Sequence, residues 1–242
     1  MKGLFTLVPM AVIALSSAYK YSGHTSEQLA GEIVNRVETA EKVVALTFDD
    51  GPTPGFTQQI LDILDEENVK ATFYLMGRSI EENPGEARQI VEAGHEVGNH
   101  SYSHPRMVLR DRDFVAGEVE RTEELIRAAG YEGTIHFRPP FGRKLFTLPL
   151  YLEERGITSI TWDVAPETWD DTVQATEEIV QDVLNRTRPG SIVLLHVMYA
   201  SRKNTMAAVP EVIRGLKGKG YRFVTVSELL AYRDSPPLEP GR

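Results

Sequence analysis

Short apolar runs alternate with helical patterns along most of this chain, between residues 43 and 232. Seven runs are strand-like: Val43–Phe48, Ala71–Met76, Glu96–His100, Ile135–Phe137, Gly156–Trp162, Ser191–His196 and Tyr221–Val226. Helical spacing or helix-start residues occupy the segments between them: Phe56–Glu67, Pro84–Ala93, Phe114–Ala129, Thr147–Arg155, Thr172–Thr187, Thr205–Lys217 and Ser227–Tyr232. Strands that alternate with helices pair in parallel. We therefore predict an α/β fold, a distorted barrel of about seven parallel strands in a single domain.

Composition narrows the chemistry of any functional site. The chain has 26 Lys and Arg against 35 Asp and Glu, a formal net charge of −9, so no general attraction to nucleic acid is expected. It has no cysteine, which excludes disulfides, thiolate metal sites and a cysteine nucleophile. Any metal ion must therefore be held by carboxylates and by some of the six histidines.

The two ends of the chain differ from the alternating region. Residues 1–18 combine a positive Lys2, the apolar run Leu4–Leu15 and small residues at a cleavage position, which is typical of a secretory signal peptide. The alternative is an uncleaved membrane tether through residues 3–19. Either reading predicts an exported protein, in the periplasm, the cell envelope or the extracellular space. Residues 19–40 are predicted to be a lead-in or a short helix, residues 41–232 the domain, and residues 233–242 a flexible tail.

Polar side chains that could carry chemistry follow five of the predicted strands. They are Asp49, Asp50, His100, His104, Arg138, Asp163 and His196. The carboxyl ends of parallel strands open on one face of an α/β barrel, which is where active sites are built. The sequence therefore predicts one active site that draws on several strand ends.

The spacing of His100 and His104 is compatible with a metal site. Side chains four residues apart lie on one side of either a helix or a strand. Two neutral imidazoles suit a divalent ion such as zinc. Asp49 and Asp50 can supply a third ligand and a general base. The ordinary alternatives are two surface histidines in a polar loop and an Asp-Asp-Gly-Pro turn.

Two further residues fit hydrolytic chemistry. Arg138 can hold a carboxylate base in place and keep it ionised. His196 ends an apolar strand and could protonate a leaving group, although a structural role in the core is the alternative. Trp162 and Trp169 could line a sugar-binding groove. The remaining histidines, which have no evident partners, are expected to be structural or surface residues: His24, His95 and His136.

Four motifs of this chain, in this order, resemble the polysaccharide deacetylases, which are carbohydrate esterase family 4 with the NodB-homology domain. The motifs are Thr47-Phe48-Asp49-Asp50-Gly51-Pro52, His100-Ser101-Tyr102-Ser103-His104, Arg138-Pro139-Pro140-Phe141-Gly142 and Leu194-Leu195-His196. The resemblance covers residues 41–232. It implies a distorted barrel and the metal-dependent removal of acetyl groups from N-acetylglucosamine units or from acetylated xylan.

The resemblance also implies a role for individual residues. Asp49 corresponds to the catalytic base, and His196 to the catalytic acid. The metal ligands would be Asp50, His100 and His104. Arg138 corresponds to the residue that tethers the base, and Leu194 to the pocket that receives the acetyl methyl group. Phe141 stands where tyrosine is usual, at a backbone N–H that stabilises the oxyanion, and Trp169 corresponds to a substrate-binding position.

One motif departs from the family pattern. An aspartate that pairs with the acidic histidine usually stands directly before the tryptophan, whereas this chain has Thr168 before Trp169. Asp163, Glu167 and Asp170 are each candidates to replace it, and spacing does not choose among them. Val197 stands where aspartate is frequent. We therefore expect the metal ligands to be intact. The sequence does not decide which carboxylate pairs with the catalytic acid His196.

These observations predict a hydrolase that releases acetate from N-acetylglucosamine-containing glycans, either peptidoglycan or chitin oligosaccharides. The expected cofactor is one divalent metal ion, zinc first, with cobalt, nickel or manganese as alternatives. An O-acetyl xylan esterase and a non-catalytic glycan-binding homologue are the other readings. The partner is an acetylated glycan, and we expect a monomer.

Overall fold

A computed structural model describes residues 16–167 and 174–234. Seven strands lie in this part of the chain, most of them two to five residues long. They are β1 (Ile33–Val34), β2 (Val43–Asp49), β3 (Thr72–Leu75), β4 (Glu96–Asn99), β5 (Ser159–Ile160), β6 (Ser191–Leu195) and β7 (Arg222–Val224).

All of the strand pairs are parallel, as predicted. One sheet has the order β4-β3-β2-β6, with β7 also paired to β2, and β1 and β5 form a second, two-stranded sheet. Isolated parallel bridges link Asn99 to Phe137, Phe137 to Ser159 and Val164 to Val193. The α/β fold with parallel strands is therefore confirmed, and single-residue bridges rather than long ladders join its two sheets.

Residues 16–21 are helical, and eight further helices surround the strands in the described residues between 56 and 231. They are α1 (Phe56–Glu66), α2 (Gly77–Glu82), α3 (Pro84–Glu92), α4 (Arg112–Ala128), α5 (Thr147–Glu154), α6 (Thr176–Arg186), α7 (Lys203–Gly218) and α8 (Val226–Ala231). The predicted helices correspond to seven of these, with ends shifted by a few residues. None of the described helices is both long enough and apolar enough to cross a membrane.

Strand β2 lies at the centre of the larger sheet. All seven of its residues are buried, because β6 pairs along one edge while β3 and β7 share the other, and helices cover the sheet. A strand enclosed in this way reads as a continuous apolar run rather than an alternating one. The largest apolar cluster joins β2, β3 and β6 to the inner faces of α1, α3, α6 and α7.

The predicted strand Ile135–Phe137 forms only isolated bridges at Phe137. The N–H of Phe137 donates to Thr158 O, and the N–H of Arg138 donates to Asn99 O. Pro139 and Pro140 follow, and proline has no N–H with which to continue a ladder. This segment therefore lies between β4 and β5 as a strand would, but the two prolines prevent it from forming a longer ladder with them.

The segment before residue 41 is part of the fold. Ile33–Val34 forms β1 against β5, and Val34 and Val37 are buried. Residues 16–21 are helical and overlap the predicted lead-in or short helix, whereas β1 was not predicted, since a strand of two residues is too short to show a period in sequence. Of the predicted terminal segments, residues 1–15 and 235–242 lie outside the described residues.

Candidate active site

The register of the parallel strands brings the sequence-predicted residues to one edge. Phe48 pairs with Leu195, and Leu75 pairs with Asn99. The residues that follow these positions therefore leave their strands at the same level. They are Asp49, the last residue of β2, and Asp50 after it, His100 after β4 and His196 after β6.

A sharp backbone turn lets two consecutive aspartates share this edge. Asp50 has φ 73° and Gly51 φ 67°, both in the left-handed region, and the peptide between Gly51 and Pro52 is cis. The N–H of Asp50 still donates to Tyr74 O at 3.1 Å. A Cβ on Gly51 would lie 2.0 Å from Met198 Sδ, so only glycine fits. The turn therefore depends on glycine for both its backbone conformation and its space.

The side chains of Asp50, His100 and His104 converge on one point. Each offers a ligand atom within 4.8 Å of the others. The loop that carries the histidines is neither helix nor strand, in contrast to the two arrangements that the spacing suggested. Ser101 and His104 have φ 64° and 57°, and the Ser101 hydroxyl accepts from the N–H of His104 at 3.1 Å. This left-handed loop, rather than a regular period, turns both rings inward.

The donor set of this trio fits a cation. His100 Nδ1 lies 2.8 Å from Arg138 O and donates to it, which leaves the Nε2 lone pair facing the site. Burial, and then the neighbouring His100, lower the pKa of His104 to about 4 against the charge of Asp50. Asp50 Oδ1 is buried without a hydrogen-bond donor in the described structure. Neutral nitrogens and an unsatisfied carboxylate oxygen are what a divalent metal ion satisfies.

Asp49 lies beside the trio and is held by a buried arginine. Arg138, which is fully buried, donates from Nη1 to Asp49 Oδ1 at 2.6 Å and to Thr47 Oγ1 at 2.8 Å. The other carboxylate oxygen, Oδ2, lies 3.6 Å from His100 Nε2. Burial acts to raise the pKa of Asp49, but the Arg138 guanidinium and the nearby histidines outweigh it and hold that pKa below its usual value. Asp49 is therefore an ionised carboxylate at neutral pH.

The histidine at the end of β6 has a carboxylate partner, and that partner is Glu167. His196 Nδ1 donates to Glu167 Oε2 at 2.5 Å, and the His196 N–H donates to Oε1 at 3.1 Å. Thr205 Oγ1 also donates to Oε1, at 2.8 Å. Burial acts to lower the pKa of His196, but the bond to Glu167 raises it overall. His196 Nε2 faces the site, 3.8 Å from Asp50 Oδ2.

Of the other two candidate partners of His196, the one that the structure describes, Asp163, is not at this position. Asp163 lies near the start of β6, where it accepts from the Ser191 hydroxyl and from the N–H of Ile192, both at 2.9 Å. Burial raises the pKa of this carboxyl. Asp170 lies outside the described residues, as do Thr168 and Trp169.

The predicted substrate-binding residues differ in how far they are from solvent. Phe141 lies at the rim with φ 58°, and its ring centroid is 4.6 Å from that of His104. Leu194 is buried in β6, in register with Thr47. Trp162 is half-buried and packs against the core cluster of β1 and β5, with the Arg138 guanidinium 5.8 Å from its ring.

Sequence reasoning missed one aromatic residue at the site. Tyr199 lies close to Asp50, and burial, followed by the charge of Asp50, raises the pKa of Tyr199 well above its ordinary value. Tyr199 follows His196 by three residues and is 40% exposed. No motif identified it, because only the turn after β6 brings it over the carboxylate.

The histidines without assigned partners are outside the site, as expected. His95 and His136 are buried, and His24 is exposed. His136 Nε2 contacts the Ser227 hydroxyl at 3.1 Å, and that hydroxyl donates to Glu96 at 2.7 Å. Glu96 stands at the start of β4, the end of the strand away from the site.

Comparison with known proteins agrees with the geometry. The family model described as polysaccharide deacetylase matches residues 36–160. A peptidoglycan-N-acetylglucosamine deacetylase of Bacillus cereus is 34% identical over 203 residues, which are 84% of this chain and 95% of that protein.

Two solved structures have a similar fold. A crystal structure of the Bc1960 peptidoglycan N-acetylglucosamine deacetylase has a TM-score of 0.76 and 33% identity, covering 81% of this chain and 91% of that one. A carbohydrate esterase family 4 pseudoenzyme from Bacillus anthracis has a TM-score of 0.75 and 32% identity, covering 84% and 69%. With the family model matched over half of its length and a relative aligned almost end to end, the chain belongs to the polysaccharide deacetylase family.

Proposed function

We propose that this protein is a metal-dependent N-deacetylase that releases acetate from N-acetylglucosamine units of peptidoglycan. The observation that carries the proposal is the convergence of Asp50, His100 and His104 beside the ion pair of Asp49 with Arg138. The similar Bacillus cereus deacetylase supports peptidoglycan as the substrate. Chitin oligosaccharides, which carry the same acetamido group, are the alternative.

Asp50, His100 and His104 would hold one divalent ion, and two histidines with one carboxylate suit zinc. When bound, such an ion supplies a Lewis acid that polarises the acetamide carbonyl and favours deprotonation of water. The remaining steps belong to side chains of this chain.

Asp49 accepts the proton of the attacking water. Its ionised state is maintained by Arg138, and its free oxygen Oδ2 faces the ligand residues. As the amide nitrogen departs, His196 donates a proton to it from Nε2, because Nδ1 is engaged by Glu167. The backbone N–H of Phe141 helps to stabilise the oxyanion, and Leu194 lines the acetyl pocket. Trp169, for which we propose a sugar contact, lies outside the described residues.

Replacing Asp49 with Asn tests the base. The variant keeps the size of the side chain and the ligand residues, so we expect acetate release to fall on the order of a hundredfold or more while metal affinity is retained. His104→Ala is the matched variant, expected to weaken metal binding. Full activity in both variants contradicts the proposed roles.

The substrate is tested by measuring acetate release from peptidoglycan, chitin oligosaccharides and acetylated xylan, each with and without a chelator. The proposal expects metal-dependent release that is fastest from peptidoglycan. Faster release from xylan would instead indicate an O-acetyl esterase.

A non-catalytic glycan-binding protein is a second candidate, which the similarity to the Bacillus anthracis pseudoenzyme favours. It predicts glycan binding without acetate release at any metal concentration. We place it second, because acid, base and ligand residues are all present in this chain.

We also propose that the protein acts outside the cytoplasm, with residues 1–18 as a signal peptide, and that it is a monomer. Comparing the N-terminal residue of the exported protein with that of the full chain distinguishes a cleaved signal from a tether through residues 3–19. Gel filtration tests the monomer.

A further inference from the structure

We propose that Arg106, at the rim of the site, binds a carboxylate that the glycan carries next to the acetamido sugar. The inference rests on the proposed function for its glycan and adds a charged subsite to it. The Arg106 guanidinium lies 4.5 Å from the centroid of the Phe141 ring, and the ring centroid of His104 lies 4.6 Å from the same ring. A single aromatic ring therefore separates an exposed cation from a ligand residue of the metal site.

The position of Arg106 is held by the residues around it. Met107, the next residue, is buried against Phe137 and Leu148 and forms a parallel bridge with Lys144. The carbonyl oxygen of Arg106 accepts from Arg110 Nε at 3.4 Å. The backbone at Arg106 is thus anchored, and stacking on Phe141 restrains the guanidinium before a ligand binds, which reduces the side-chain entropy that is lost on binding.

Arg106 has no carboxylate partner among the described residues. Several other exposed arginines of this chain do form ion pairs, including Arg112 with Glu154 at 2.5 Å and Arg121 with Glu81 at 2.8 Å. Arg106 and Arg110 each stack on an aromatic ring instead, those of Phe141 and Phe114. An exposed guanidinium whose N–H groups face no protein acceptor can bind a carboxylate with two parallel hydrogen bonds.

The chemistry of the glycan decides what could bind there. Chitin is neutral along its length, whereas the muramic acid of peptidoglycan carries a lactyl group that is either a free carboxylate or the attachment point of a peptide with carboxylates of its own. Both sources present the same anion close to an N-acetylglucosamine unit. By binding this carboxylate, Arg106 would make the protein prefer carboxylate-bearing glycans over neutral ones.

Calorimetric titration of the zinc-loaded protein tests this without requiring turnover. The ligands form two pairs. The lactyl pair is an oligosaccharide of alternating N-acetylglucosamine and muramic acid with free lactyl carboxylates, together with its carboxamide derivative. The peptide pair is the corresponding peptide-bearing oligosaccharide with free or with amidated peptide carboxylates. We expect the protein to bind a carboxylate form about tenfold more tightly than its amide. In Arg106→Gln that ratio should fall to about one, and in Arg106→Lys it should be intermediate.

Arg88→Gln is the matched control, because Arg88 is exposed on α3, away from the site, and should keep the wild-type ratio. An Arg106-dependent ratio in the lactyl pair identifies the lactyl carboxylate as the ligand, and one in the peptide pair identifies the peptide. A ratio of one in the wild type for both pairs overturns the subsite, and so does a wild-type ratio in Arg106→Gln. Absence of acetate release from every glycan would overturn the proposed function alone, since the binding ratios do not depend on it.

Discussion

At the scale of single residues, Glu167 is the clearest case of a replaced partner. Its two oxygens engage both the ring and the backbone N–H of His196, and Thr205 holds it from the other side. Glutamate has one more methylene than the aspartate usual in the family, so it can reach the histidine from a position two residues before the tryptophan rather than one. The chain thus keeps a carboxylate on His196 although Thr168 cannot supply it.

Replacing Glu167 with Gln should lower kcat on the order of a hundredfold, because the charge that favours the protonated imidazole is lost while the shape is kept. Acetate release at saturating substrate measures this. Asp163→Asn is the control, since Asp163 bonds to Ser191 and Ile192 at the opposite end of β6 and should leave kcat close to wild type. Equal loss in both variants would indicate a general effect of removing a carboxylate.

His95 makes stability depend on pH. Its Nδ1 accepts from the N–H of Ala71 at 3.2 Å, and burial, followed by the charge of Lys70, lowers its pKa from 6.5 to about 4. Below pH 6.5 the unfolded chain therefore binds more protons at this residue than the folded chain does. Its contribution to stability is complete above pH 6.5 and decreases as the pH falls toward 4.

Between pH 7.5 and pH 5 this residue should account for a decrease of about 2 kcal/mol in the free energy of unfolding. His95→Asn keeps an acceptor for Ala71 without the titration, so urea unfolding at the two pH values should show a smaller decrease in the variant. Identical decreases in the two proteins would rule out His95 as the source.

At the scale of elements, helix α4 is stabilised partly by its local sequence and partly by tertiary packing of its buried face. Asp111 caps its first turn by accepting from the N–H of Phe114 at 2.8 Å, and one face of the helix is buried. Gly117 lies in its middle, exposed, with nothing within 4 Å of where a Cβ would stand. Glycine in a helix interior costs backbone entropy and, at this position, has no packing role to offset it.

Gly117→Ala should therefore raise the free energy of unfolding by about 0.5–1 kcal/mol, measured by urea denaturation. Gly130→Ala is the matched control, because Gly130 ends the same helix in open space but with φ 97°. That change should destabilise the protein, since alanine is strained there. A stabilising Gly130→Ala would contradict this account of the helix end.

The elements also show why sequence patterns succeeded unevenly. Strand β6 and helix α7 were predicted to within a few residues, because a buried strand and a long helix with one buried face each leave a sustained pattern. The two-residue strand β1 leaves none and falls in the predicted lead-in or short helix, whereas β5 lies within the predicted strand Gly156–Trp162 but pairs over only two of its residues. Such strands exist only because a parallel partner is brought alongside them.

At the scale of the whole molecule, one metal ion would tie several segments together. Asp50 follows β2, while His100 and His104 follow β4, and Arg138 bridges to both through Asp49 and His100. A ligand that binds only the folded state adds stability in proportion to its saturation. The proposed ion would therefore tie together the loops that follow β2 and β4, beyond the last paired residues of these strands.

Zinc at a hundred times its Kd should stabilise the folded protein by about 2.7 kcal/mol, which corresponds to a rise in Tm of about 5 to 10 °C. Thermal unfolding of chelator-treated protein with and without added zinc measures this. His104→Ala should largely abolish the rise, whereas Glu167→Gln should retain it. A rise of the same size in His104→Ala would place the ion elsewhere.

The sequence by itself determined the α/β class and the family, and it predicted the residues that converge at the candidate site, because buried strands, turn residues and metal ligands each have a residue type and a spacing that can be read locally. Only the tertiary structure decided which carboxylate pairs with His196, that Tyr199 lies over Asp50, and that Arg106 stacks on the rim. These contacts join residues far apart in the chain or depend on left-handed loop geometry. These contacts are stabilised by packing between distant segments, and a local sequence pattern does not predict such packing.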